Sequence, residues 1–267
     1  MPLPSSGAIS LNDIHIEAGG TTGTTASIND SDIRALINKS SGATMSFSEW
    51  YGASADQDAS LVGTTSNTFN STTGLLNLDE DDPIDLTGQN IQVGDLVVIA
   101  VAADRNLEQN APFTGMTLSN ALGTGVHNDP GRVVKYGYWQ SGDSNPYYTG
   151  TNNYGGPLCL VAAIFRDTNT SLLNSAESTG ISGNPDPPSL ASASGSKLIV
   201  ATGHLDDDRV TFTAGSGYTM AVQADAGQFA KCSVAIKYKI VSSDATENPP
   251  GFSSGGSDQW FASTLRF

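Results

Sequence analysis

The chain has 267 residues and carries 27 acidic against 12 basic side chains, a formal net charge of −15. Such an acidic surface repels phosphate backbones, which excludes a nucleic-acid binder. No apolar run approaches the ~18 residues needed to span a bilayer, so membrane insertion is excluded too. Ser, Thr and Gly make up 86 residues and only 15% of the chain is charged, a composition of strands and turns rather than of helical bundles.

In chain order, residues 1–52 read differently from the rest. The start, MPLPSSGAISLNDIHIE, has neither a basic n-region nor an apolar h-region, so a secretory signal is not expected. Ser10 precedes LND with Asp13 three residues on, the spacing of a capping box. Asn29 or Asp30 precedes SDIRALINK, which sets Ile33, Leu36 and Ile37 on one helical face. Ser46 precedes FSEWYG, with Glu49 at the reciprocal position and Gly52 as a stop. Three short helices joined by GGTTGTTAS and SSGAT bury little surface, so this segment is expected to need a partner surface. Residues 53–65, ASADQDASLVGTT, read as a linker.

From residue 66 to 267 the period becomes that of strands. The clear ones are Asp95–Ala103, Arg132–Gln140, Leu158–Arg166, Lys197–Gly203, Lys231–Val241 and Gln259–Phe267; Asn67–Asn70, Met116–Ser119, Val210–Thr213 and Tyr218–Gln223 are shorter candidates. This region repeats itself at an offset near 102. VGDLVVIAVAA resembles SGSKLIVATGH, GRVVKYGYWQSGD resembles KCSVAIKYKIVSSD, and PLCLVAAIF resembles DQWFASTLRF, so that Leu96 matches Leu198, Tyr136 matches Tyr238 and Phe165 matches Phe267. The expected fold is therefore mainly β: a jelly-roll-like antiparallel β-sandwich of two similar four-stranded halves, preceded by a small segment with short helices. The halves either interleave in one sandwich or stand as two small β-domains; one sandwich is favoured, because each half alone would leave a sheet face uncovered.

Residues able to carry chemistry are sparse. Cys159 and Cys232 lie in apolar strand-like runs and read as buried thiols, with a disulfide as the alternative. His15, His127 and His204 are scattered, no GxSxG elbow is present, and no catalytic, cofactor-binding or metal residues are assigned. Asp79, Glu80, Asp81 and Asp82, and the triplet Asp206, Asp207 and Asp208, lack the spacing of a calcium loop and read as solvated turn acids. Tyr136 and Tyr138 share one strand face with Trp139 opposite, and Tyr147, Tyr148 and Tyr154 follow in a Gly/Asn-rich loop. Aromatic faces beside polar groups stack on sugar rings, so these three tyrosines are candidates for glycan contact, or alternatively for an interface.

The segments Ile9–Ile14 with Glu17, Ser27–Asp30 and Met45–Gly52 carry a pattern, IS(L/M)xDI…E, S(I/L)xD and (I/M)SFSxxYG, that resembles a short N-terminal module of tailed-bacteriophage virion proteins of the tail-fibre and appendage type. The strand-rich remainder resembles, less closely, β-sandwich domains of phage structural proteins. The resemblance implies a non-enzymatic virion protein, assembled in the host cytoplasm and then located in the virion. It implies a short tail fibre or tail-attached appendage that contacts the host surface, with a capsid decoration or cement protein and a glycan-binding or glycan-degrading receptor-binding protein as alternatives. The implied partners are other virion proteins of tail or capsid, further copies in a homotrimer, and a host-surface glycan. Particle docking is expected from Ile9, Leu11, Ile14, Ile33, Leu36, Phe47, Trp50 and Tyr51.

Overall fold

In the computed structural model the chain divides into two compact units, Met1–Gln57 and Asp58–Phe267. The structure describes residues 3–37, 39–53, 58–69, 76–77, 84–103, 113–122, 131–149, 151–152, 157–206, 208–227, 231–253, 255 and 258–267.

The first unit holds helices α1 (Leu11–Glu17) and α2 (Ser31–Ala35) and a 3-10 turn, Phe47–Trp50. The starts of α1 and of the 3-10 turn follow the capping chemistry of the sequence, whereas Asp30 before α2 makes no side-chain cap and accepts from the Ser27 N–H at 2.7 Å instead. The Ser10 hydroxyl accepts the Asp13 N–H at 3.1 Å while the Asp13 carboxylate accepts the Ser10 N–H at 2.8 Å. The Ser46 N–H donates to Glu49 Oε2 at 2.6 Å, and Gly52 ends the turn at φ +74°, where a Cβ would be strained. The unit has its own core, in which Leu3, Ile14, Ile33, Leu36, Trp50 and Ala53 are buried together. Trp50 Nε1 donates to the Ile33 carbonyl at 3.2 Å, and buried Arg34 donates to Asn29 Oδ1 at 2.8 Å and to the Ser40 and Ala43 carbonyls. Loops 20–29 and 39–46 add to what the short helices bury, bringing Ala26, Ile28 and Met45 against the apolar cluster.

The second unit is mainly β. Its strands are β1 (Ser60–Phe69), β2 (Leu76–Asn77), β3 (Leu96–Ala103), β4 (Phe113–Thr114), β5 (Ser119–Asn120), β6 (Gly131–Tyr138), β7 (Tyr147–Tyr148), β8 (Thr151–Asn152), β9 (Leu158–Arg166), β10 (Asn174–Gly180), β11 (Leu198–Asp206), β12 (Thr219–Ala226), β13 (Cys232–Ile240) and β14 (Trp260–Arg266). Two five-stranded antiparallel sheets result, ordered β1-β9-β3-β6-β5 and β10-β14-β11-β13-β12, with β2 paired to β8 and β4 to β7 at the periphery. Strand β1 begins inside the expected 53–65 linker, so the linker reading is corrected: the boundary falls after residue 57, and residues 60–65 pair with β9. Among the described residues each half contributes five strands to its main sheet rather than four, because the polar segments Ser60–Phe69 and Asn174–Gly180 close the sheets as edges. The halves do not interleave. Every strand of the first sheet precedes residue 167 and every strand of the second follows residue 173, unlike a jelly roll, whose strands alternate between sheets.

The repeat read from the sequence is carried into the hydrogen-bond register. Leu96 pairs with Tyr138 in β6, and Leu198 pairs with Ile240 in β13, each shifted by 102. Val97 pairs with Ile164 in β9, and Ile199 pairs with Arg266 in β14, shifted likewise. Replacing every strand of the first sheet by its counterpart reproduces the order of the second.

The sheets face each other across a shared core. Leu96, Val98, Ala100 and Ala102 of β3 and Cys159, Val161, Ala163 and Phe165 of β9 meet Leu198, Val200, Val234, Ile236, Phe261, Leu265 and Phe267. The alternate residues of β3, Val97, Ile99, Val101 and Ala103, point the other way and are covered by Ile84, Leu86, Met116 and Tyr148. Burial on both faces explains why β3 reads LVVIAVAA without polar alternation. Each such side chain contributes roughly 1.5–3 kcal/mol for a Val, Leu, Ile or Phe. Outside the second sheet, Phe212 and Phe252 cover Ala201, Leu205 and Ala235. The Asp95 carboxylate, 2% exposed, receives Arg166 Nε at 2.9 Å and Nη2 at 2.8 Å, tying the start of β3 to the end of β9.

Candidate functional site

The residues expected to dock the first unit fall into two sets. Ile14, Ile33, Leu36 and Trp50 form the unit's own core, which corrects their assignment as docking contacts: a side chain without exposure has no surface to offer a partner. Ile9 and Leu11 are half-buried against that core. Phe47 and Tyr51 are exposed at 46% and 39%. The Phe47 ring leans on Trp50 at 5.8 Å, and the Tyr51 hydroxyl donates to the Gly7 carbonyl at 2.5 Å, so both rings are held in place while their outer faces stay wet. Ile16, 43% exposed, is a third large apolar side chain on this unit that the sequence reading did not single out.

The candidate sugar-stacking tyrosines do not assemble into a platform. Tyr148 is 1% exposed and packs edge to face on Phe113 at 5.5 Å beneath the outer face of the first sheet, which corrects its assignment as a surface aromatic. Tyr147, its neighbour in β7, is half-buried. Tyr154 lies outside the described residues, as do Asp79, Glu80, Asp81, Asp82, His127 and Asp207. Among the described residues no group of three His, Cys, Asp or Glu side chains is placed to hold a metal.

Three polar side chains of the second unit are buried together between the sheets. His204 Nδ1 lies 3.1 Å from the Val101 carbonyl of the opposite sheet, which can only accept, so Nδ1 carries the proton. Nε2 therefore accepts the Thr202 hydroxyl at 3.1 Å, and Thr202 in turn accepts from Ser263 at 2.7 Å. All three side chains are fully buried. Burial holds the imidazole down at about 3, the nearby Arg132 cation pushes the same way, and the Val101 carbonyl opposes both. This Ser–Thr–His chain is neutral at physiological pH and closed to any substrate; it satisfies buried groups and fixes the facing of the two sheets. Arg132 lies 3.7 Å over the Phe261 ring, and burial lowers it to about 10 while Glu177 pulls it upward. His15, the other described histidine, hydrogen-bonds Thr24 Oγ1 at 2.8 Å within the first unit.

On the far face of the second sheet Lys237 is fully buried. Its ammonium donates to the Pro250 carbonyl and sits 4.0 Å from the Phe252 ring centre. Burial pushes it down to about 8, with Asp186 pulling upward. The sequence held a signal for it: in KCSVAIKYKI, alternation sets Lys237 on the face of Ala235 and Ser233, a lysine among small residues.

Cys159 and Cys232 are both buried, one from each sheet, and stand as thiols with their sulfurs 2.9 Å apart. No protein-family profile matches the chain, and no match was found among curated proteins or solved structures. No helix is long and apolar enough to cross a membrane among the described residues.

Proposed function

We propose that the chain is a non-enzymatic structural protein of a tailed-phage virion, a short tail fibre or tail-attached appendage, with its first unit seated on the particle and its two-sheet unit presented outward as a sandwich of two like halves. The observation that carries this reading is where the phage-like pattern falls. Its Ser10 and Ser46 start the helical elements, its Ile14 and Trp50 fill the core, and its Gly52 takes the positive-φ stop. The pattern is thus the folding code of a compact module, and that module leaves Phe47 and Tyr51 exposed for a partner. Supporting the non-enzymatic reading, His204, Thr202 and Ser263 are spent on mutual hydrogen bonds away from solvent. The acidic surface keeps such a module from adhering to nucleic acid released at lysis.

Immunogold labelling of purified particles, from a lysate in which the chain is produced, tests the proposal. Gold on tail appendages is the expected result. Gold confined to heads assigns a capsid decoration role and overturns the tail reading; bare particles overturn the virion reading. Release of reducing ends from host capsule or lipopolysaccharide by the purified chain overturns the non-enzymatic reading.

A further inference from the structure

Cys159 is the second residue of β9 and Cys232 the first of β13, and they project from opposite sheets into the shared core near one end of the strands. Their sulfurs are 2.9 Å apart, about 0.9 Å more than an S–S bond of about 2.05 Å. Cys159 Sγ also lies 3.3 Å from the Cys232 carbonyl, and Cys232 Sγ 3.6 Å from the Ala102 carbonyl of β3, so both thiols are held against neighbouring backbone and aimed at each other. The chain has two cysteines in all, so no third thiol within it competes for the disulfide.

We propose that Cys159 and Cys232 are a latent cross-link that closes into a disulfide between the two sheets when the protein meets a low-molecular-weight disulfide oxidant. The thiolate of one cysteine attacks the oxidant R–S–S–R, forming a mixed disulfide and expelling the first R–S⁻. The second cysteine's thiolate attacks the protein sulfur of that mixed disulfide and expels the second R–S⁻. The two cysteine protons end on the two released R–SH molecules, the cysteines lose two electrons and the oxidant gains them. The bond closes a loop across 73 residues of sequence separation, and a loop of that length removes much freedom from the unfolded chain. In a reducing cytoplasm the pair stays open; in an oxidising medium the exchange takes place as the chain folds, or when the strand ends open and uncover the buried thiols, and the closed bond then staples the two sheets. The proposal rests on the core geometry and stands independently of the particle assignment.

The test uses the full chain, refolded or incubated with oxidised and reduced glutathione at a series of ratios, then alkylated in denaturant. The expected result is loss of both alkylatable thiols together, a mass lower by two hydrogens, a Cys159–Cys232 linked peptide, and a thermal midpoint raised by on the order of 10 °C over the reduced protein. The Cys159→Ala and Cys232→Ala variants, which leave one thiol each, are expected to show no oxidant-dependent rise, whatever their starting stability. Both thiols still alkylatable after refolding in excess oxidised glutathione, stable mixed disulfides, or linkage between chains would each overturn the proposal.

Discussion

Tyr136 and Phe267 meet edge to face across the two sheets, with ring centres 5.5 Å apart and planes at 65°. Shifting each partner by 102 residues into the other half gives Phe165 and Tyr238, and these also meet, at 5.3 Å and 63°. A contact that recurs with its partners exchanged is the signature of an isologous interface. The backbone facing is less even: β1 and β9 lie against β12, and β9 and β3 against β13, while only the approach of β3 to its own counterpart β11 maps onto itself when the halves are exchanged. The two halves thus share their strand order and this exchanged pair of ring contacts, but not one even twofold facing of their backbones.

This relation predicts matched losses. Phe267→Ala and Phe165→Ala each empty one of two like ring contacts in a fully buried position. Each is expected to lower the unfolding free energy by about 3–5 kcal/mol in guanidinium titrations, and the two losses are expected to agree more closely with each other than with that of a core alanine substitution elsewhere.

Acid is expected to unfold the second unit through His204. Its folded value of about 3 lies below the ordinary 6.5, so between those values the unfolded chain binds the proton that the folded chain refuses. The stabilisation is complete above about pH 6.5 and is lost as pH falls toward 3, at up to about 1.4 kcal/mol per pH unit. Urea titrations from pH 7 to 4 check the slope, which is expected to flatten in His204→Gln even if that variant is weaker throughout.

Lys237 acts in the alkaline range. Its folded value of about 8 lies below the ordinary 10.5, so above pH 8 the unfolded chain again holds more protons and stability rises with pH. Titrations from about pH 8 to 9.5, below the range of an ordinary tyrosine, are expected to show this rise in the parent chain and a flatter profile in Lys237→Met.

In the first unit, Trp50→Ala is expected to cost about 3–5 kcal/mol and to remove hydrogen-exchange protection from residues 11–53, because it deletes the centre of a small core. Phe47→Ser is expected to leave that protection nearly unchanged, since Phe47 is exposed, while abolishing incorporation into particles if the proposed docking holds. Mass photometry of the parent chain is expected to show the trimer implied by the phage resemblance; a monomer both free and on the particle would count against it.

A methyl group at residue 203 is expected to harm the second sheet. A Cβ on Gly203 would stand 2.7 Å from the Phe252 ring, which covers β11 from outside. Gly203→Ala is expected to cost about 1–3 kcal/mol by thermal unfolding, and Phe252→Leu in the same chain is expected to return part of it.

The polar strands mark where reading residues in order fails. Ser60–Phe69 and Asn174–Gly180 carry no apolar alternation, and the first resembles a linker; each becomes a strand because an apolar neighbour, β9 or β14, offers it a row of backbone partners. Tyr148 and Trp50 failed as surface candidates for a related reason. An aromatic in a loop or short helix carries the same letters whether another segment covers it or not, and the covering segments lie far away in sequence.

Local chemistry was enough to set the capped starts of α1 and of the 3-10 turn, the six long apolar strands and the repeat at 102 residues, because caps, strand periods and antiparallel register depend on spacing along the chain. The facing of the two sheets, the neutral His204 chain between them, the burial of Lys237 and the approach of Cys159 to Cys232 belong to the tertiary structure alone. Each depends on which segments from distant parts of the sequence exclude water from the same place, and spacing within any one segment does not encode that.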